Sequence, residues 1–430
     1  MLRRVPVALA SVIALPLLLP AQGTASATTR NGFAVERLAR IDRFLQESVD
    51  QERVAGVVGL VLRDGRVVYE RALGWSDREA NRRMTADAIF RIASQSKAIT
   101  TTAAMILVEE GKLALSDPVS RHISAFRHTS VSLPNDSIAP ARRQITVFDL
   151  LTHSAGISYG TEPRLAGRYQ AAQLGPAAGY GWYTADKDEP VCSTMERLAS
   201  LPFAAQPGTA WVYGYNTDIL GCVIERASGI PLDEFIRTRI TTPLGMKDTH
   251  FFLPPAQRDR LTTLYASGED GKAVRAPDGA RGQGHYAEGP RRSFSGGAGL
   301  VSTARDYARF LQMLLNGGTL DGVRILGPKI VQVMTTNQLG TLYGSNGMSF
   351  GLGFAIVERA GADGLSSVGT YSWGGAYGSN YKVDPREGLV IVLMIQMLPN
   401  SSDVAGRFST LVYQALVDAR DPLAPRPRMP

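Results

Sequence analysis

The stretch Phe90-Arg91-Ile92-Ala93-Ser94-Gln95-Ser96-Lys97-Ala98-Ile99 organises the chain. Beyond it, Ile99, Ala103, Ile106, Leu107 and Leu113 recur at helical spacing, so a helix begins near Ser94 after a loop. Lys97 is three residues on, and positions i and i+3 share a helix face. A serine hydroxyl is a weak nucleophile until a base takes its proton. A lysine one turn away takes that proton or holds the group that does. The helix N-terminus adds partial positive charge where an alkoxide would develop. The S-x-x-K spacing recurs at Ser379-Asn380-Tyr381-Lys382. There Tyr381 and Val383 alternate as in a strand, and residues three apart on a strand point to opposite faces. Only the first copy is a candidate catalytic pair.

The other 420 residues frame that pair. A chain of 430 residues, 44% hydrophobic and 20% charged, has the composition of an ordinary soluble enzyme with more than one lobe. Its net charge of +7 comes from scattered Lys and Arg, which gives no nucleic-acid footprint. Arg3-Arg4, an apolar run from Val5 to Pro20, and Ala25-Ser26-Ala27 read as a cleavable signal peptide over residues 1–27, too short and proline-broken for a membrane span. The expected mature protein is periplasmic or secreted, with no stable membrane insertion. Its two cysteines, Cys192 and Cys222, could pair in an oxidising compartment, although sequence alone does not bring them together. Neither has a His neighbour at metal-ligand spacing, so no metal is expected.

Read in order, Val35, Leu38, Ile41, Phe44, Leu45 and Val49 form one face of an amphipathic helix. Two apolar runs, Val57–Leu62 and Val67–Glu70, flank Asp64-Gly65, a hairpin signal. From Ser94 to about residue 250 the pattern is mainly helical, with Thr146 to Gly156 reading as a cap, a short helix and a glycine stop. Residues 158–192 read as a long surface loop or lid, and 262–292 as a polar connection. Strand patterns return at Phe350–Val357, Asn380–Val383 and Leu389–Met394, followed by an amphipathic helix from Val404 to Leu416 and a frayed tail over 421–430. The expected fold class is α+β: a sheet lobe from both chain ends (33–93 and 293–420) with an inserted, mainly helical lobe (94–292). A ligand cleft between the lobes follows.

Five stretches in order carry a family resemblance over about residues 33–420: Phe90 to Lys97, Leu150 to Ile157, Gln206 to Tyr213, Pro243 to Thr249, and Gly296 to Thr303. They resemble the serine β-lactamase-related hydrolases, namely class C β-lactamases, DD-peptidases and family VIII carboxylesterases, whose fold is β-lactamase/transpeptidase-like. The resemblance implies that Ser94 is acylated, that Lys97 shares in proton transfer, and that Tyr213 is the phenolic base, with Tyr215 as competing candidate and substrate contact. A free phenol titrates near ~10 and is a poor base at neutral pH, but a neighbouring ammonium favours the phenolate. In the third motif, Trp373-Gly374-Gly375-Ala376, the resemblance places the Ala376 N–H beside that of Ser94 as the oxyanion hole, with Trp373, Gly374 and Gly375 lining the substrate. No cofactor is implied.

Two departures favour the carboxylesterases. β-Lactamases and DD-peptidases of this group carry Lys-Thr-Gly where this chain has Trp373, and Tyr-x-Asn where it has Tyr213-Gly214-Tyr215 with Asn216 displaced by one. Losing the cation disfavours anionic substrates and suits neutral esters. A Ser-His-Asp triad through His153 is rejected: its turn reads as a hydrogen-bonded loop, and Ser154-Ala155-Gly156 lacks the G-x-S-x-G elbow. The expectation is an exported, monomeric serine hydrolase acting on a small-molecule ester or amide. The alternatives are a β-lactamase or D,D-peptidase, and a silent penicillin-recognition protein.

Overall fold

The computed structural model describes residues 29–174, 187–279 and 282–420. The expected signal peptide and tail, and residues 175–186 of the expected lid, lie outside them.

In chain order the sheet-forming and helical elements are α1 (Val35–Asp50), β1 (Gly56–Arg63), β2 (Arg66–Asp77), β3 (Arg82–Arg83), α2 (Ser96–Glu109), α3 (Val147–Thr152), α4 (Pro163–Ala171), α5 (Val191–Leu198), α6 (Asn216–Ser228), α7 (Leu232–Ile236), α8 (Ala304–Leu315), α9 (Pro328–Met334), β4 (Met348–Phe350), β5 (Ala355–Val357), β6 (Tyr371–Gly374), β7 (Asn380–Asp384), β8 (Leu389–Met394) and α10 (Val404–Ala415). The eight strands form one antiparallel sheet in the order β4-β5-β6-β7-β8-β1-β2-β3. The α+β class stands.

Both chain ends meet at the sheet's centre, where β1 pairs with β8 from Arg63↔Leu389 to Val58↔Met394. All eight residues of β1 are buried, because the strand is covered on both faces, and its near-continuous apolar run reflects that. Val57 and Val61 pack with Ile41, Phe44, Phe408 and Val412 of α1 and α10. Val58, Leu60 and Leu62 face the opposite way, into the core containing α2 and α8. Asp64-Gly65 turns the β1–β2 hairpin with both residues at positive φ.

Three expectations change. Phe350–Val357 is two strands rather than one: Gly353, at φ 84°, turns the chain between β4 and β5. The 158–192 stretch is not simply a loop, since it contains α4, which buries only Leu165 and Tyr169 and so leaves little periodic signal. The 262–292 connection carries a short hairpin, Tyr265–Ser267 with Ala273–Arg275. Tyr265 and Ala273 pack into the α1–α10 side of the sheet.

Candidate active site

The turn that carries Ser94 is built under constraint. Ala93 holds φ 43° in a short 3-10 turn, Ala93–Gln95, immediately before α2. A positive φ on an alanine is a strained backbone state that the surroundings must impose. They do so by hydrogen bonds: the Leu300 N–H donates to Ser96 Oγ at 3.0 Å, the Tyr307 hydroxyl to the Gln95 carbonyl at 2.9 Å, and Thr100 Oγ1 to the Gly296 carbonyl at 2.8 Å. α2 itself is buried all round through Leu107, as a helix at the centre of a domain must be.

Ser94 is 7% exposed and Lys97 2%. Lys97 Nζ donates to Ser94 Oγ at 3.2 Å, to the Tyr159 hydroxyl at 3.0 Å and to the Gly297 carbonyl at 2.8 Å. The Tyr159 and Tyr213 rings meet edge-on with centroids 5.6 Å apart, and Trp373 Nε1 donates to the Tyr213 hydroxyl at 3.1 Å. Hydrogen bonds thus join Ser94 to Tyr159 through Lys97, and Tyr213 to Trp373, with the two phenol rings in contact between them. Lys97 meets Tyr213 through its ring face, with Nζ 4.7 Å from the centroid. Burial, reinforced by Tyr213, pushes the Tyr159 phenol well above its ordinary range.

Each phenol is placed by close backbone approach. Gly214 lies against residues 157–158; a Cβ there would sit 2.3 Å from the Ile157 carbonyl oxygen. That contact brings Tyr213 beside Tyr159. The segment carrying Tyr159 leaves α3 through His153, which caps the helix in the left-handed conformation. Thr146 and Asp149 form a capping box at the other end, and Arg143 grips Asp149 at 2.6 and 2.9 Å. His153 is buried, its Nδ1 lies 2.9 Å from Asn216 Nδ2, and its ring packs 4.8 Å from that of Tyr213. Burial, and then the Lys97 charge, hold its pKa well below the usual histidine value. A buried neutral imidazole fixing a loop is what the sequence reading expected of it.

Behind Lys97 lies a carboxylate that sequence reasoning passed over. Asp218 is fully buried on α6 and accepts from Ser295 Oγ and from the Gly297 N–H. It thereby holds the residue whose carbonyl receives Lys97. Burial raises its pKa and the Lys97 charge offsets part of that rise. Tyr159 was likewise missed; it stands two residues past the quoted Leu150–Ile157 stretch.

The third motif lies on and just after β6. A Cβ on Gly375 would meet the Ile92 carbonyl oxygen at 2.5 Å, so only glycine lets this strand end touch the nucleophile turn. Ala376 follows, exposed, and among the described residues its N–H goes to no backbone carbonyl. Trp373 and Gly374 are half-buried. Tyr215 requires correction as a substrate contact: it is 0% exposed, its hydroxyl donates to the Leu174 carbonyl, and its ring packs edge-on against Tyr159 at 4.9 Å. It supports Tyr159 from behind. Asn216, the displaced asparagine, is buried and spent on His153 and two backbone carbonyls.

Cys192 and Cys222 form a disulfide joining α5 to α6. Among the described residues no group of His, Cys, Asp and Glu is arranged to hold a metal, and no helix is long and apolar enough to cross a membrane.

A family model described as Beta-lactamase matches residues 41–414. Esterase EstB of Burkholderia gladioli is 33% identical over 378 residues, covering 84% of this chain and 91% of that protein. An Escherichia coli protein provisionally named a D-alanyl-D-alanine carboxypeptidase is 29% identical, covering 86% of this chain and 85% of that protein. Among solved structures, EstCE1, described as a hydrolase with promiscuous acyltransferase activity, superposes with a TM-score of 0.74 at 28% identity, covering 89% of this chain and 98% of that one.

Proposed function

The chain belongs to the beta-lactamase family and is a serine hydrolase, and from that premise we propose that it cleaves carboxylic esters through an acyl-Ser94 intermediate. Ser94 Oγ attacks the ester carbonyl carbon while its proton passes to the neutral amine of Lys97, 3.2 Å away. The N–H groups of Ser94 and Ala376 receive the oxyanion. The intermediate then collapses, and the alcohol leaves with a proton from the Tyr213 hydroxyl, which the Lys97 ammonium replaces. Water attacks the acyl-serine, releases the carboxylic acid and restores Ser94. The observation that carries this reading is the 3.2 Å contact between Lys97 Nζ and Ser94 Oγ, with the Tyr159 hydroxyl on the same amine and the Tyr213 ring against it.

The indole of Trp373 hydrogen-bonds to Tyr213, at the position where β-lactam- and peptide-directed relatives use a lysine. A neutral donor there supports neutral esters over substrates with a free carboxylate. Similarity to the Escherichia coli carboxypeptidase relative favours a second reading, hydrolysis of β-lactams or D,D-peptides. The protein is further proposed to be exported and to act as a monomer; the Cys192–Cys222 disulfide supports the export.

The test compares the protein with Ser94→Ala on a short-chain p-nitrophenyl ester and on a chromogenic cephalosporin. Ester turnover lost in the variant, with little cephalosporin turnover, is the expected result. Cephalosporin turnover equal to or above ester turnover would put the second reading first. Absence of Ser94-dependent activity on both would leave the silent penicillin-recognition protein.

A further inference from the structure

Aromatic rings run outward from Tyr213. Trp211 stacks on it, with centroids 5.7 Å apart and planes 15° from parallel. Trp373 meets Tyr213 at 5.4 Å and Trp211 at 6.3 Å. Tyr343 meets Trp211 edge-on at 4.9 Å. Phe350 backs all three, 5.7 Å from Trp211, 5.4 Å from Tyr343 and 5.5 Å from Trp373. Phe350 is buried, whereas Trp211, Tyr213, Tyr343 and Trp373 keep part of their surface open. Three distant segments of the chain supply these rings. The result is a continuous aromatic wall beside the proposed proton donor.

The wall has a definite chemistry. Its polar atoms are phenol hydroxyls and indole N–H groups, and the cation against its innermost ring, Lys97 at 4.7 Å from the Tyr213 centroid, is occupied by Ser94, Tyr159 and Gly297. A carboxylate laid on it would be desolvated without a counter-charge. A flat neutral ring would instead find edge-on and offset-stacked partners. Position adds the second constraint. The Tyr213 hydroxyl is proposed to return the proton to the leaving oxygen, so the group bonded to that oxygen extends toward Tyr213's ring neighbours.

We propose that Trp211, Tyr343 and Trp373 bind the alcohol portion of the ester, and that this portion is a planar aromatic group such as an arylmethyl alcohol. The proposal rests on the ester-hydrolase reading above. Rings rather than generic apolar surface set the preference.

The test uses three acetates that share one acyl group: ethyl, cyclohexylmethyl and benzyl acetate. The native protein is expected to show kcat/KM for benzyl acetate about tenfold above that for cyclohexylmethyl acetate. In Trp211→Leu or Tyr343→Leu that ratio is expected to fall toward one. Equal values for the two bulky acetates in the native protein would overturn the proposal, as would a ratio unchanged in both variants. Tyr343 sits on the rim, so its variant serves if Trp211→Leu does not fold. Failure of the ester reading is separately visible as absence of Ser94-dependent cleavage of all three acetates. Calorimetric titration of benzyl alcohol into Ser94→Ala, against Ser94→Ala/Tyr343→Leu, then decides the wall by itself: saturable binding weakened by the second substitution supports it, and no binding overturns it.

Discussion

Trp373 Nε1 donates to the Tyr213 hydroxyl at 3.1 Å. The indole therefore does more than line a rim, because it holds the phenol proposed as a proton-transfer group. Trp373→Phe keeps a ring and removes the donor. A single hydrogen bond contributes roughly 0.5–1.5 kcal/mol net, so kcat on a short ester should fall about two- to tenfold, with a smaller effect on KM. Trp373→Lys should raise acylation by penicillin relative to ester turnover, measured as the fraction of protein carrying the penicilloyl mass.

Lys97→Met removes the amine that touches Ser94, Tyr159 and Gly297 at once. Proton-transfer groups of this kind contribute typically ~10²–10⁴ in rate, and a loss in that range is expected in kcat/KM. Tyr159→Phe, which breaks the chain one link further out, should lose less than Lys97→Met. Equal activity of Tyr159→Phe and the native protein would show that protons bypass Tyr159.

Gly375→Ala would drive a methyl group to 2.5 Å from the Ile92 carbonyl oxygen. The strand end must then retreat from the nucleophile turn and carry Ala376 with it. Loss of one oxyanion donor costs on the order of 10²–10³ in kcat, and a fall of at least tenfold is expected, with Tm changed far less than activity.

The Cys192–Cys222 bridge closes a loop of 30 residues. Removing a bridge over a loop of this size typically costs about 3 kcal/mol. Cys192→Ala/Cys222→Ala should lower the denaturation midpoint accordingly, and a reductant should lower that of the native protein but not of the variant.

Asp306, in the first turn of α8, accepts from the Asp248 N–H at 2.7 Å and from Thr249 Oγ1 at 3.0 Å. Burial nevertheless pushes its carboxyl up to about 6. An unfolded aspartate titrates near ~3.9, so the folded state holds this proton more tightly. The associated stabilisation is fully present below the unfolded value and is lost as pH rises through about 6. Asp306→Asn should flatten the stability profile between those limits, read as Tm against pH beside the native protein.

Local chemistry made the outer frame legible. Asp64-Gly65, the α1 stripe and the apolar run of β8 carry their signals within a few residues, and burial by neighbouring elements agrees with each. The rejected second S-x-x-K copy shows the same agreement. Ser379 Oγ bonds the Ile395 carbonyl at 2.8 Å and Lys382 Nζ pairs with Asp363 at 2.6 Å, so the two side chains serve different neighbours. What the sequence could not show were partners fixed only by tertiary contact. Tyr215 and Tyr213 are two residues apart in one motif, yet one is sealed behind Tyr159 and the other faces Trp373. Asp218 acts through Gly297, which lies 79 positions away. Tyr159 reaches Lys97 only because Gly156 and Gly214 let loops press together.

The pairing of β1 with β8 also dictates when this protein can fold. β1 is synthesised early but finds its neighbour only when Leu389–Met394 has emerged, so the central ladder has one of the longest sequence separations the chain allows. Loops of that length close slowly. Until then Gly56–Arg63, a strand buried along its whole length in the finished molecule, has only its hairpin partner and two uncovered apolar faces. The nascent chain therefore depends on being kept from aggregation for nearly its entire synthesis. A product cut short before Leu389 would be an insoluble fragment rather than a smaller working enzyme.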